Sequence, residues 1–175
     1  MKLILITLVA VVVGMMVGCT SSGSNSDSYQ REVNTLMQRH IDGFMATVEE
    51  VSSMYDSWLS PSGISMSREE GLRELSRILE TVGKTEDELT LVASEWSSLI
   101  PPSEAETFHD LGYEMMQKRI TGIQQTRLMF AEFLRFGVHD QQLGAESEAI
   151  FNDADRVWVK LVRESAKLEG VEFNR

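Results

Sequence analysis

The sequence predicts an all-α protein whose main body is an antiparallel up-down-up-down four-helix bundle. Three observations carry this. From Tyr29 onward the apolar residues recur at helical spacing, and no strand-like alternation persists. Breakers divide the chain into four long segments, at "SPSG" (Ser60–Gly63), at "IPP" (Ile100–Pro102) and at Gly137. The connections are short, which makes consecutive helices antiparallel neighbours.

The first helix is expected over Tyr29 to Leu59. Its stripe is Val33, Met37, Ile41, Phe44, Val48, Val51, Tyr55 and Trp58. The second begins at "SREE", where Ser67 caps and Glu70 completes a capping box. It carries Leu72, Leu75, Leu79, Val82, Glu86, Leu89, Ala93, Trp96 and Ile100. Gly83 could stop this helix, and Thr85 with Glu88 could cap a new one. One continuous helix is favoured, because Val82 and Leu89 keep the heptad phase across the glycine.

Two prolines end that segment, and Ser103 with Glu106 predicts a second capping box. The third helix spans about Glu104 to Phe136, with Phe108, Met115, Met116, Ile120, Ile123, Phe130, Phe133 and Leu134 on its stripe. Gly137 suits its C-terminal cap. "VHDQQLG" follows as a connection or a first frayed turn. The fourth helix is expected from Ala145 to Leu168, carrying Ile150, Phe151, Ala154, Val157, Trp158, Leu161 and Val162. The folded domain is thus residues 29–175.

Ahead of it stand Met1-Lys2, a short positive start, and the apolar run Leu3–Val13. That length suits the core of a signal peptide and falls well short of the roughly 20 residues of a spanning helix. "MVGC", Met16–Cys19, comes next and holds the only cysteine of the chain. These residues resemble the lipobox of bacterial lipoproteins, in which a small residue precedes an obligatory cysteine. Gly18 and Cys19 fit; Met16 stands where the family prefers leucine. The resemblance implies that residues 1–18 are a lipoprotein signal peptide, cleaved before Cys19. It further implies a diacylglyceryl group on the Cys19 sulfur, often with an acyl chain on the new amine. Two or three chains give stable anchoring, whereas one chain binds only marginally. The other reading is an uncleaved signal anchor with an incidental cysteine. Thr20 is not the aspartate that the family often uses for inner-membrane retention, a hint toward the outer membrane. Residues 19–28 are expected to be a lipidated cysteine and a flexible Ser/Gly linker.

The net charge of the whole chain is −11, and −12 once Lys2 is removed with the leader. That sign argues against nucleic acid, whose phosphates need clustered Lys and Arg, and against electrostatic attraction to anionic lipid. A single cysteine allows no internal disulfide, so the core must hold the fold.

Three polar residues interrupt the apolar faces: His40 between Met37 and Phe44, Glu86 between Val82 and Leu89, and Arg119 between Met115 and Ile123. With hairpin centres near residues 63 and 102, Glu86 faces the level of His40 and of residue 118, so the three can meet in one layer. A buried carboxylate needs a charged partner, and Arg119 is a bidentate donor. The layer has three readings: a device that fixes helix register, side chains at the margins reaching for water, or a ligand or proton-handling site. If Glu86 is buried against Arg119, Glu86→Ala costs roughly 3–5 kcal/mol, whereas a loss below about 1 kcal/mol places both in solvent.

"ETFH", Glu106 to His109, has the Glu-x-x-His spacing of di-iron bundles. A second such pair and two further inward carboxylates are missing. Glu106 therefore reads as a capping-box member and His109 as a partly exposed face residue. His139-Asp140 is a weak loop pair. The methionines and the three tryptophans Trp58, Trp96 and Trp158 read as core. No phosphate loop, zinc-ligand spacing or Ser-His-Asp pattern stands out.

The expected function is a lipid-anchored, extracytoplasmic protein of the bacterial cell envelope, without catalytic, cofactor or metal residues. It acts as a binding or protein-interaction module, with another envelope protein as its partner. The alternative is a helical bundle that takes a small ligand or a metal. The oligomeric state is left open.

Overall fold

The computed structural model describes residues 24–59, 67–137 and 141–168, with the side chains of the first helix described over 28–53. Four helices follow in order: α1 (Ser24–Leu59), α2 (Arg68–Ser98), α3 (Glu106–Phe136) and α4 (Gln141–Ser165). There is no strand among the described residues. Their packing is that of a four-helix bundle. Cys19, His139 and Asp140 lie outside the described residues, and the side chain of Trp58 lies outside the described side chains.

α1 starts earlier than its apolar stripe. The linker expected over 19–28 gives way to helix at Ser24. Tyr29 and Val33 are buried, and Ser28 Oγ donates to Glu32 Oε1 at 3.1 Å. Extending a formed helix by one turn costs little even for polar residues.

α2 begins with the expected capping box: Ser67 Oγ accepts from the Glu70 N–H, and the Glu70 carboxylate accepts from the Ser67 N–H. It runs unbroken through Gly83. Thr85 therefore caps nothing. Its side chain is buried in the α1–α2 interface.

The second expected capping box does not form. Leu99 and Pro102 are extended, a 3₁₀ turn covers Ser103–Ala105, and no side chain caps α3. Ser103 Oγ lies 3.3 Å from the Glu104 carboxylate instead. α3 ends as expected, with Gly137 at φ 69° and its N–H on the carbonyl of Phe133. α4 absorbs Gln141–Gly144 as its first turn.

Consecutive helices run in opposite senses. Along α1 and α2, Arg39 reaches Glu95 and Thr47 reaches Thr85. Along α2 and α3, Trp96 meets His109 while Glu86 meets Gln124. Along α3 and α4, Lys118 meets Asp153 and Thr126 meets Ser147.

The core face of α2 is Leu75, Ile78, Val82, Thr85, Leu89, Val92 and Trp96. This face is turned slightly from the expected stripe, so Leu72 is exposed and Ile100, just past the helix end, is almost wholly so at 89%. Small residues bring helix backbones close. A methyl group on Gly112 would sit 2.3 Å from Trp96 Cζ2, and one on Gly122 would sit 2.5 Å from Phe151 Cε1. No described helix is long and apolar enough to cross a membrane.

Candidate functional site

The predicted layer of His40, Glu86 and Arg119 does not assemble as expected. His40 and Arg119 come together; Glu86 does not join them. Glu86 Oε2 instead accepts from Arg127 Nη1 at 2.7 Å, and its Oε1 accepts from Gln124 at 3.0 Å. Its side chain is 17% exposed and that of Arg127 is 50%.

At this level of the bundle Glu86 meets Gln124 on α3 rather than the level of residue 118, and its neighbour Thr85 meets Thr47 on α1 rather than the level of His40. Glu86 is also at the edge of its helix face, whose centre holds Thr85.

Arg119 reaches from α3 into the seam between α1 and α4. Its Cζ lies 4.5 Å from the ring centroid of Phe44 on α1 and 5.5 Å from that of Trp158 on α4. Such ring faces attract a cation without neutralising it. Its nearest acid is Asp155 on α4, at 3.9 Å, beyond hydrogen-bonding distance. The Arg119 side chain is 9% exposed and that of Asp155 is 53%. Burial lowers the Arg119 guanidinium to about 10 against the opposing pull of Asp155, so it stays cationic at neutral pH.

His40 is wholly buried. Burial first, and the neighbouring Arg119 second, push its imidazole down to about 3. It is neutral at pH 7, with one ring N–H and one acceptor nitrogen. Both its ring nitrogens and Arg119 Nε are buried without a hydrogen-bond partner among the described residues.

The walls of the seam are aromatic. Phe44 and Phe151 stand with ring centroids 5.6 Å apart. Phe151 lies flat on α3 because Gly122, one turn beyond Arg119, has no side chain to hold it off. Ser147 Oγ donates to the Gly122 carbonyl at 3.2 Å and fixes the approach of α4.

A second polar cluster lies at the other end of α1. Tyr29 Oη and His109 Nδ1 are 3.1 Å apart, and the His109 ring stacks on Trp96 at 5.4 Å between centroids. Trp96 Nε1 donates to the His109 carbonyl at 3.0 Å. His109 is therefore buried, not partly exposed, and Glu106 caps nothing. The reason is the glycine one turn on: Gly112 lets Trp96 lie against α3, and the His109 ring is covered by it. Burial lowers the His109 imidazole, opposed by Asp110. Burial, and then Asp110, raise the Tyr29 phenol well above the usual tyrosine range. Among the described residues no group of three or more His, Cys, Asp or Glu is placed to hold a metal ion.

Phe44, Phe151 and Trp158 were legible as stripe residues, not as partners of Arg119, and Asp155 was not singled out. The helix-interior glycines Gly112 and Gly122 were the usable signal, since each marks a close approach beside a buried polar group. No protein-family model matches the chain, nor does any curated protein or solved structure.

Proposed function

We propose that the chain is a lipid-anchored protein of the bacterial cell envelope whose helical domain is a non-catalytic binding or protein-interaction module. The observation that carries this reading is the position of Cys19. The only thiol of the chain stands directly after a positive start, an eleven-residue apolar run and a small residue. The fold adds a length to it. Helix begins at Ser24, so the five steps from Cys19 span at most about 18 Å and the bundle rides close to the bilayer.

Two measurements test it. The mature N-terminus should carry acyl groups on Cys19 by mass spectrometry, and Cys19→Ser should move the protein out of the membrane fraction. An intact leader, or unchanged fractionation of the variant, refutes the anchor. Crosslinking in intact cells should then enrich a specific envelope protein over an unrelated lipoprotein; no enrichment refutes the interaction role.

A second reading, a bundle that takes a small ligand, is favoured by one observation: the three unpartnered buried nitrogens of His40 and Arg119.

A further inference from the structure

Among the described residues the α1–α4 seam is the least closed side of the bundle. α1 packs broadly on α2, α2 on α3 and α3 on α4, whereas α1 and α4 meet chiefly through side chains. Phe44 touches Phe151 across the seam, and Arg119 enters it from below, between Phe44 and Trp158.

Two donors and one acceptor in the seam lack partners among the described residues: Arg119 Nε–H, one ring N–H of His40 and the other ring nitrogen of His40. Arg119 offers Nε–H and His40 offers one ring N–H, both buried and without an acceptor among the described residues. Buried donors are normally satisfied, and a buried cation normally has a hydrogen-bonded counter-charge. Asp155 at 3.9 Å supplies charge without a hydrogen bond. Two donors beside one positive charge form the arrangement that a carboxylate completes. The surroundings define the rest of the ligand. Phe44, Phe151 and Trp158 present apolar ring surface on both helices. A single cation, with Asp155 at the rim, suits a monoanion better than a dianionic phosphate.

We propose that the α1–α4 seam binds an amphiphilic monocarboxylate, its carboxylate on Arg119 Nε–H and the His40 ring N–H and its apolar body against Phe44, Phe151 and Trp158. The inference rests on the small-ligand reading and names the ligand class.

The test uses the full-length chain in detergent with ¹⁵N-labelled arginine side chains, titrated with octanoate, octanamide and inorganic phosphate. Octanoate should shift the Arg119 Nε resonance saturably and bind at least about tenfold tighter than octanamide, as a charge-assisted pair requires. In calorimetry Arg119→Met should lose the octanoate preference while keeping or raising the thermal midpoint, because an apolar chain replaces a poorly paired buried charge. His40→Leu should weaken octanoate at least about threefold.

Equal binding of octanamide overturns the carboxylate and leaves the ligand reading standing. Tighter binding of phosphate overturns the apolar half of the assignment. Binding unchanged in both variants places the ligand elsewhere and sinks the site. No binding of any probe ends both the inference and the reading beneath it. A sharp fall in the midpoint of Arg119→Met makes Arg119 a structural residue and counts against the proposal, with His40→Leu then deciding it.

Discussion

Thr47 Oγ1 donates to Thr85 Oγ1 at 2.6 Å in the middle of the α1–α2 interface, beside the position where the heptad phase had centred Glu86. Both threonines are buried, and Thr47 Oγ1 also lies 3.1 Å from the Gly43 carbonyl of its own helix. The polar contact that sets the level of these two helices is thus hydroxyl to hydroxyl. Thr85→Val alone should destabilise the domain by about 1 kcal/mol at most, since Thr47 loses the Thr85 oxygen but keeps the Gly43 carbonyl as an acceptor. Thr47→Val with Thr85→Val should cost less than the sum of the two single changes, because apolar groups of the same shape replace both partners. A double-mutant cycle in urea measures this coupling, and strict additivity would contradict the pairing.

Glu86→Ala should cost less than about 1 kcal/mol, because its partner Arg127 is half exposed and surface pairs of this kind contribute little. Thermal unfolding at low and high salt checks it: the difference between variant and parent should shrink as salt rises. A loss of several kcal/mol would mean that Glu86 balances a buried charge.

Glycine-to-alanine changes should divide by position. Gly112→Ala and Gly122→Ala drive a methyl group into Trp96 and Phe151 and should destabilise by about 1–3 kcal/mol. At Gly83 the nearest atom to an added Cβ is Arg127 Cζ, at 3.8 Å, an ordinary contact. Gly83→Ala should stabilise by about 0.5–1 kcal/mol through helix propensity alone. Urea midpoints of the three variants compared with the parent decide the matter, and the signs should differ.

The histidines give the domain an acid-side slope. His40 and His109 both titrate lower in the folded chain than when unfolded. As pH falls below about 6.5 the unfolded chain takes up protons that the folded chain does not, so stability drops. For His40 the loss continues toward its folded value of about 3. Its limiting slope is about 1.4 kcal/mol per pH unit. Glu70, Glu74, Glu80 and Asp153 are lowered too, and they act in the same direction at lower pH, below their ordinary carboxylate values. Denaturant titrations between pH 4.5 and 6.5 should therefore show a shallower slope in His40→Leu than in the parent chain. An identical slope would mean that His40 is protonated in the folded state. At the other end Tyr29 is raised, so its contribution is present at neutral pH and is lost as pH climbs past the ordinary tyrosine value of about 10. Tyr29→Phe should flatten that alkaline loss.

The sequence by itself determined the helical class, the four segments, the Ser67–Glu70 capping box, the continuity of α2 through Gly83 and the Gly137 cap. These depend on residues within one or two turns of each other, where hydrogen-bond geometry and apolar period leave few choices. Tertiary structure alone decided which polar groups met. Glu86 met Gln124 and Arg127 rather than Arg119. Gly112 and Gly122 let two aromatic rings lie on α3 and bury the polar side chains beside them. Such outcomes turn on offsets of a few ångströms between helices. A 3.6-residue period repeats too often to fix them, because several registers bury nearly the same apolar surface and only side-chain fit tells them apart.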